Sequence, residues 1–278
     1  MAYQLTIATP LTPATIPAEE AILSAARELL DSTATWKQGK SYSKHVVRTY
    51  SRPKVQGDGA AWHCRVSEHS KEDATFDEIW AKLGADKARN EMEFIPDIKK
   101  VTEVKDISPS QSIWTLLYTF PPPISSRVFT VLQVVHLDNS SPRTGLVVSI
   151  PVDLTQPGDE ELAKLEEKGV KGRYVSVERV RELDNGSVEW RMATSSSPGG
   201  SIPQFIAEKS MAGKISEDVP HFMHWLASTR SKATKADEAA KPVDPQIAQI
   251  PTATDTGNEA VAGAQAAGHV GGGGIASI

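Results

Sequence analysis

From Lys99 to Thr194 the chain reads as one strand after another, and a single long amphipathic helix follows. That order limits the fold more than any other feature of the sequence. Ser112–Phe120, Arg127–Leu137, Thr144–Val152, Arg173–Leu183 and Ser187–Thr194 are rich in Val, Ile, Thr and aromatic residues, the side chains that suit a pleated, half-buried surface. Pro121-Pro122-Pro123 ends one strand, and Asp184-Asn185-Gly186 is a hairpin turn between two others. In the helix that follows, Ser201 suits an N-cap and Pro203 a first turn. Ile202, Phe205 and Ile206, then Ile215, Val219, Phe222, Met223 and Leu226, mark one apolar face. Gly213 and Pro220 predict a kink or a break between residues 212 and 220. An antiparallel sheet curved around that helix buries its apolar stripe. The expected class is α+β, with a cavity where sheet and helix fail to touch.

The first half supplies the remaining elements. Pro17 opens a helix whose apolar residues Ile22, Ala25, Ala26, Leu29 and Leu30 share one face. Two strand-like runs, Lys44–Arg52 and Ala60–His69, flank the turn signal Gln56-Gly57-Asp58-Gly59. Thr75 and Glu78 form a capping-box pattern ahead of Phe76, Ile79, Trp80 and Leu83, and Gly84 stops that short helix. A second short helix is expected over Asp86–Phe94. The insert Asp153–Gly172 alternates acidic and basic residues and reads as a surface excursion with a short helix from Asp159.

Composition changes abruptly after Arg230. Every Phe, Trp and Tyr lies before that point, and residues 231–278 are rich in Ala, Gly, Pro and Thr. Such a segment buries too little apolar surface to offset its ordering entropy. The expected organisation is an N-terminal extension over 1–16, one domain over 17–230 and a disordered tail over 231–278. A formal charge of −5 with scattered Lys and Arg gives no basic face for nucleic acid and no polybasic membrane patch. The lone Cys64 excludes an internal disulfide and fits a reducing, cytoplasmic setting. The first residues do not read as a secretory signal, and no window approaches the ~18 apolar residues of a membrane span.

Several segments carry a family resemblance. Tyr118-Thr119-Phe120-Pro121-Pro122-Pro123-Ile124-Ser125-Ser126-Arg127-Val128-Phe129 resembles the central START motif, in which a proline-rich turn precedes Arg-x-Phe. Gly199-Gly200-Ser201-Ile202-Pro203 resembles the segment that opens the START closing helix. Trp62-x-x-Arg65-x-Ser67-x-His69, with the proline triplet, is similar to an uncharacterised fungal branch of START-like domains. Glu93-Phe94 departs from the Trp-Asp that START domains often carry there. The resemblance spans about residues 20–230 and implies a helix-grip fold, a curved antiparallel sheet wrapped around a long C-terminal helix. It also implies an internal cavity for sterols, phospholipids or polyketide-like aromatics, with some relatives acting as cyclases.

Alternation along β-strands divides Trp62–His69 into an apolar row, Trp62, Cys64 and Val66, and a polar row, His63, Arg65, Ser67 and His69. If the polar row lines a cavity, Arg65 can hold an anion and the histidines can donate or move protons. If it faces solvent, it is the ordinary outer face of a half-buried strand. Trp114, Leu116 and Tyr118 share one face of a later strand, as do Trp190 and Met192; each set serves either as cavity wall or as plain core. Arg127, at a strand start, is a surface residue or else makes a buried ion pair or a ligand contact, and Ile206 stands on the closing helix. The candidate ligand-binding set is therefore Arg65, Ser67, His69, Trp114, Leu116, Tyr118, Arg127, Trp190, Met192 and Ile206. An enzyme would enlist His63, Arg65, His69 and Tyr118 as a cofactor-free cyclase, isomerase or dehydratase acting on a secondary metabolite such as a polyketide. The seven histidines show no tight ligand cluster, and no nucleophile elbow, phosphate loop or dinucleotide fingerprint appears, so no metal and no cofactor are expected. The favoured expectation is binding, with transfer left open, of a hydrophobic small molecule or lipid, with transient membrane contact also open.

Overall fold

The computed structural model describes residues 3–43 and 46–239. Five helices frame one sheet: α1 Glu19–Ser32, α2 Phe76–Leu83, α3 Lys87–Phe94, α4 Glu160–Ala163 and α5 Gln204–Ala239. The strands are β1 Lys37–Tyr42, β2 Val47–Arg52, β3 Trp62–His69, β4 Ile98–Ser108, β5 Gln111–Tyr118, β6 Arg127–Asp138, β7 Thr144–Pro151, β8 Val170–Lys171, β9 Arg173–Glu182 and β10 Val188–Ser197. They run in the order β1-β2-β3-β10-β9-β7-β6-β5-β4, and β8 pairs with β6. Every contact along that path is antiparallel, and only β8 lies parallel to its neighbour. The α+β expectation, a large antiparallel sheet followed by one long closing helix, is the fold observed.

The sheet is covered on both faces, which explains why β3 is buried at nearly every position. On one face, Ile22, Leu23, Ala26 and Leu30 of α1 pack with Trp62, Cys64, Val66, Val148 and Val177. On the other, Phe76, Ile79 and Leu83 of α2 and Phe222 and Leu226 of α5 pack with Val47, Val180 and Trp190. The polar row of β3 does not face solvent, because helices lie over it. Arg65, Ser67 and His69 are all buried, and His63 is partly so.

The short helices form as their sequences dictate. Thr75 Oγ1 accepts from the Glu78 amide at 3.3 Å while the Thr75 amide donates to Glu78 Oε2 at 2.9 Å, a complete capping box. Trp80 then lies flat over Gly145 of β7, where any Cβ would overlap the indole ring. That close approach seats α2 on the sheet.

Several expectations differ from the structure. Residues 5–11 are part of the domain rather than an extension: Leu5, Ile7 and Leu11 are buried in the α1 core, and Leu11 bridges Val152. Ser201 does not cap the closing helix; α5 starts at Gln204, and its first amides, those of Ile206 and Ala207, donate to the Pro203 carbonyl. Of the kink or break expected over 212–220, the break does not occur: the segment remains helical despite Pro220. The insert after Asp153 is more than a surface excursion: Leu154 is buried, and Glu166 accepts a hydrogen bond from Thr130 on β6 at 2.5 Å. Strand β1 was not expected at all; Lys37, Gln38 and Lys40 give an edge strand no apolar alternation. Helix α5 continues past Arg230 to Ala239, and the rest of the expected tail, residues 240–278, lies outside the described residues. Among the described residues no helix is long and apolar enough to cross a membrane.

Candidate functional site

The two halves of α5 meet the sheet differently. Val219, Phe222 and Leu226 are buried, and the Phe222 ring stands 5.0 Å from that of Trp190 and 5.3 Å from that of Phe94. Near the helix start the apolar residues do not reach the sheet: Phe205 is 70% exposed and Ile206 50%. Gly199 and Gly200 set this approach. Both have positive φ, 65° and 62°, and Gly199 lies so close to the Lys171 carbonyl that no Cβ fits. Between the first half of α5 and the sheet lies a cavity of about 510 Å³.

One side of the cavity is an aromatic wall. Tyr118 and Phe129 meet edge to face at 5.2 Å, Phe129 and Tyr174 at 5.5 Å, and Phe120 stacks against Tyr118 at 6.4 Å. Met192 of β10 and Ile206 of α5 also line the space. At the mouth, Ile124 of the proline-rich turn is 43% exposed. Arg127 lines the same end, its guanidinium donating to the backbone carbonyls of Ser125 and Pro198.

The inner end is charged. Lys87 Nζ lies 2.7 Å from Glu178 Oε1 and 2.6 Å from Glu91 Oε1. Glu178 Oε2 accepts from Trp190 Nε1 at 3.0 Å and lies 3.8 Å from Arg65 Nη2. The Arg65 guanidinium sits 3.9 Å above the Trp190 ring, and among the described residues its Nε and Nη1 have no hydrogen-bond partner. Burial pushes the Glu178 carboxyl up, yet the charges of Lys87 and Arg65 outweigh it and hold the group below its ordinary value. Burial works against the Lys87 ammonium too, and Glu178 and Glu91 override it, so Lys87 stays charged. Glu91 is raised, by burial and by Glu178, against the opposing charge of Lys87.

Asp218 of α5 faces the same end. Burial is the main reason its carboxyl is pushed up to about 7; Arg65 opposes that shift, and Glu91 and Glu178 add to it. Tyr118 and Tyr174 are raised by burial as well and stay protonated.

The sequence-derived candidates divide into two groups. Tyr118, Arg127, Met192 and Ile206 line the cavity. Arg65 and Trp190 stand behind it and brace Glu178. Ser67 and His69 bond each other at 2.9 Å within the core, and burial lowers the His69 pKa. Trp114 and Leu116 pack with Ala88 and Val131, away from the lining. Of His63, Arg65, His69 and Tyr118, only Tyr118 lines the cavity, so the enzyme set does not converge there. Lys87, Glu91, Tyr174, Glu178 and Asp218 were not anticipated. Two of them had a readable signal: Glu178 alternates in phase with Ser176 and Val180, and Asp218 falls on the inward stripe with Ile215 and Phe222.

A family model described as "Protein of unknown function (DUF3074)" matches residues 62–226. No curated protein matches the chain. Among solved structures, human STARD10 matches with a TM-score of 0.63 and 11% identity over 82% of this chain and 86% of that one. Human StAR-related lipid transfer protein 5 matches with a TM-score of 0.61 and 14% identity over 76% of this chain and 96% of that one. A STAR-related lipid transfer protein from Xanthomonas axonopodis matches with a TM-score of 0.53 and 19% identity over 69% and 98%. The fold is START-like.

Proposed function

We propose that this chain, which belongs to the DUF3074 family, binds a hydrophobic small molecule or lipid in the cavity under α5 and releases it through the mouth beside Ile124 and Ile206. The observation that carries this reading is the space of about 510 Å³ behind an aromatic wall. That volume is within the range of small-molecule sites, about 300–1,000 Å³. The likeness in fold to proteins named for lipid transfer supports it. Tyr118, Arg127, Met192 and Ile206 are the contacts we assign to the ligand. Exposed Phe205, Ile206 and Ile124 around the mouth favour transient contact with a membrane during exchange. The buried lone Cys64 suits a cytoplasmic setting.

One observation favours the enzyme reading: the Asp218 carboxyl, with a pKa of about 7, and the Tyr118 hydroxyl face one cavity, as a general acid–base pair would. The same ligand experiment separates the two. Native mass spectrometry of the purified protein, followed by incubation with the extracted ligand, returns it unchanged if the protein is a binder.

Met192→Trp fills the cavity. The variant is expected to lose binding of an apolar fluorescent probe while keeping its denaturation midpoint, because the added volume enters empty space. A solid core would instead lose about 1–3 kcal/mol to overpacking. A destabilised variant, together with a wild-type protein that binds no probe, would overturn the proposal.

A further inference from the structure

The inner end of the cavity holds three carboxyl groups against two cations. Lys87 is shared between Glu178 and Glu91, and Arg65 is spent on Glu178 and the Trp190 face. Among the described residues no hydrogen bond or ion pair engages the Asp218 side chain, although it stands on a helix face otherwise buried by Ile215, Val219 and Phe222. It keeps some accessible surface because it faces the cavity. Among the described residues the other lysine and arginine on the lining are engaged elsewhere. Lys214 pairs with Glu217 at 3.3 Å, and Arg127 is held by backbone carbonyls at the mouth. Tyr118 and Tyr174 are neutral, and Asp97 is a further acid on the lining. His221 lines the cavity one turn beyond Asp218.

Resting on the ligand-binding reading above, we propose that the ligand is an amphiphile with a single basic amine, whose nitrogen is seated against Asp218. The fold has already desolvated that carboxyl, so binding adds only the desolvation of the ligand's own head group. In the empty protein burial pushes the Asp218 carboxyl up to about 7, so part of the excess negative charge near neutral pH is met by a proton there, and more of it as the pH falls. An alkylamine arrives already protonated at this pH, so as it is seated Asp218 releases its proton to water, and an ammonium–carboxylate pair replaces the neutral acid with no change in the charge of the site. A hydroxyl head gains only a hydrogen bond from the protonated acid. A phosphate or carboxylate head brings more negative charge to a site already in excess.

The test compares dodecylamine, dodecanol and dodecanoate, each below its micelle concentration, as competitors of a bound apolar fluorescent probe. In the wild-type protein at pH 8, dodecylamine is expected to compete at least roughly tenfold better than dodecanol, with dodecanoate weakest. Asp218→Asn is expected to abolish that advantage and leave dodecanol within about threefold of wild type, which also shows that the variant is folded. Lowering the pH from 8 to 6 is expected to shrink the amine's advantage, because Asp218 then holds its proton more firmly. Equal competition by amine and alcohol, or an amine advantage that survives Asp218→Asn, overturns the inference and leaves the cavity reading standing. A wild-type protein that binds neither the probe nor any of the three overturns both.

Discussion

Lys87 is the residue on which the charged end of the cavity depends. It is 4% exposed and, among the described residues, is the one cation in direct contact with both Glu91 and Glu178. Lys87→Met removes that cation and leaves the buried Glu178 and the partly buried Glu91 facing each other. The expected loss is about 3–5 kcal/mol in urea denaturation. Recovery is expected as the pH is lowered and the carboxyls protonate. A neutral effect would mean the cluster is solvated. None of this was legible from Lys87 and Glu91 themselves, because a Lys–Glu pair four residues apart on a short helix reads as a solvated face. The histidines of β3 drew attention instead. Only long-range packing, with helices over both faces of the sheet, decides that Arg65 braces a carboxylate and that His69 ends in a core hydrogen bond with Ser67.

At the scale of elements, local chemistry was read well and boundaries less well. The capping box at Thr75 and the hairpin at Asp184-Asn185-Gly186 are local patterns, and both form. Helix α5 does not start at Ser201, which has the right chemistry but precedes the helix by too many residues; the two glycines and Pro203 set the entry. Ser201→Ala is therefore expected to stay within about 0.5 kcal/mol of wild type. Gly199→Ala is expected to destabilise by more than about 1 kcal/mol, since it meets both a positive φ and the Lys171 carbonyl. Both values come from the same denaturant series.

The contact between α2 and α5 gives an acid-dependent prediction. Arg230 donates to Glu78 through Nε at 2.6 Å, and mainly for that reason the Glu78 carboxyl is pushed down to about 2. A depressed carboxyl stabilises the fold above its unfolded value, near 4.5, and that stabilisation fades as the pH falls toward 2. Glu78 is 37% exposed, so solvent screens the pair and its worth is about 0.2–1 kcal/mol. Glu78→Gln, which keeps a capping-box residue, is expected to cost that much at pH 6, with most of the deficit gone at pH 2. An equal deficit at both values would assign the effect to the cap instead.

For the molecule as a whole, strand order and a single closing helix were enough to give the class and the gap beneath the helix. The contents of the gap are not readable, because they come from seven separate elements that only the folded sheet brings together. The unequal seating of α5 also has a dynamic consequence. A helix fixed by Phe222 and Leu226 at one end and held off the sheet at the other does not open uniformly. Native-state hydrogen exchange should show it as a gradient along one element, with amides of residues 207–214 losing protection through local opening and those of 219–226 exchanging only with global unfolding. Ligand should slow the first group and leave the second unchanged. The path in and out of the cavity would then run through the least protected turns of the domain, so the protein could fill and empty without disturbing what keeps it folded.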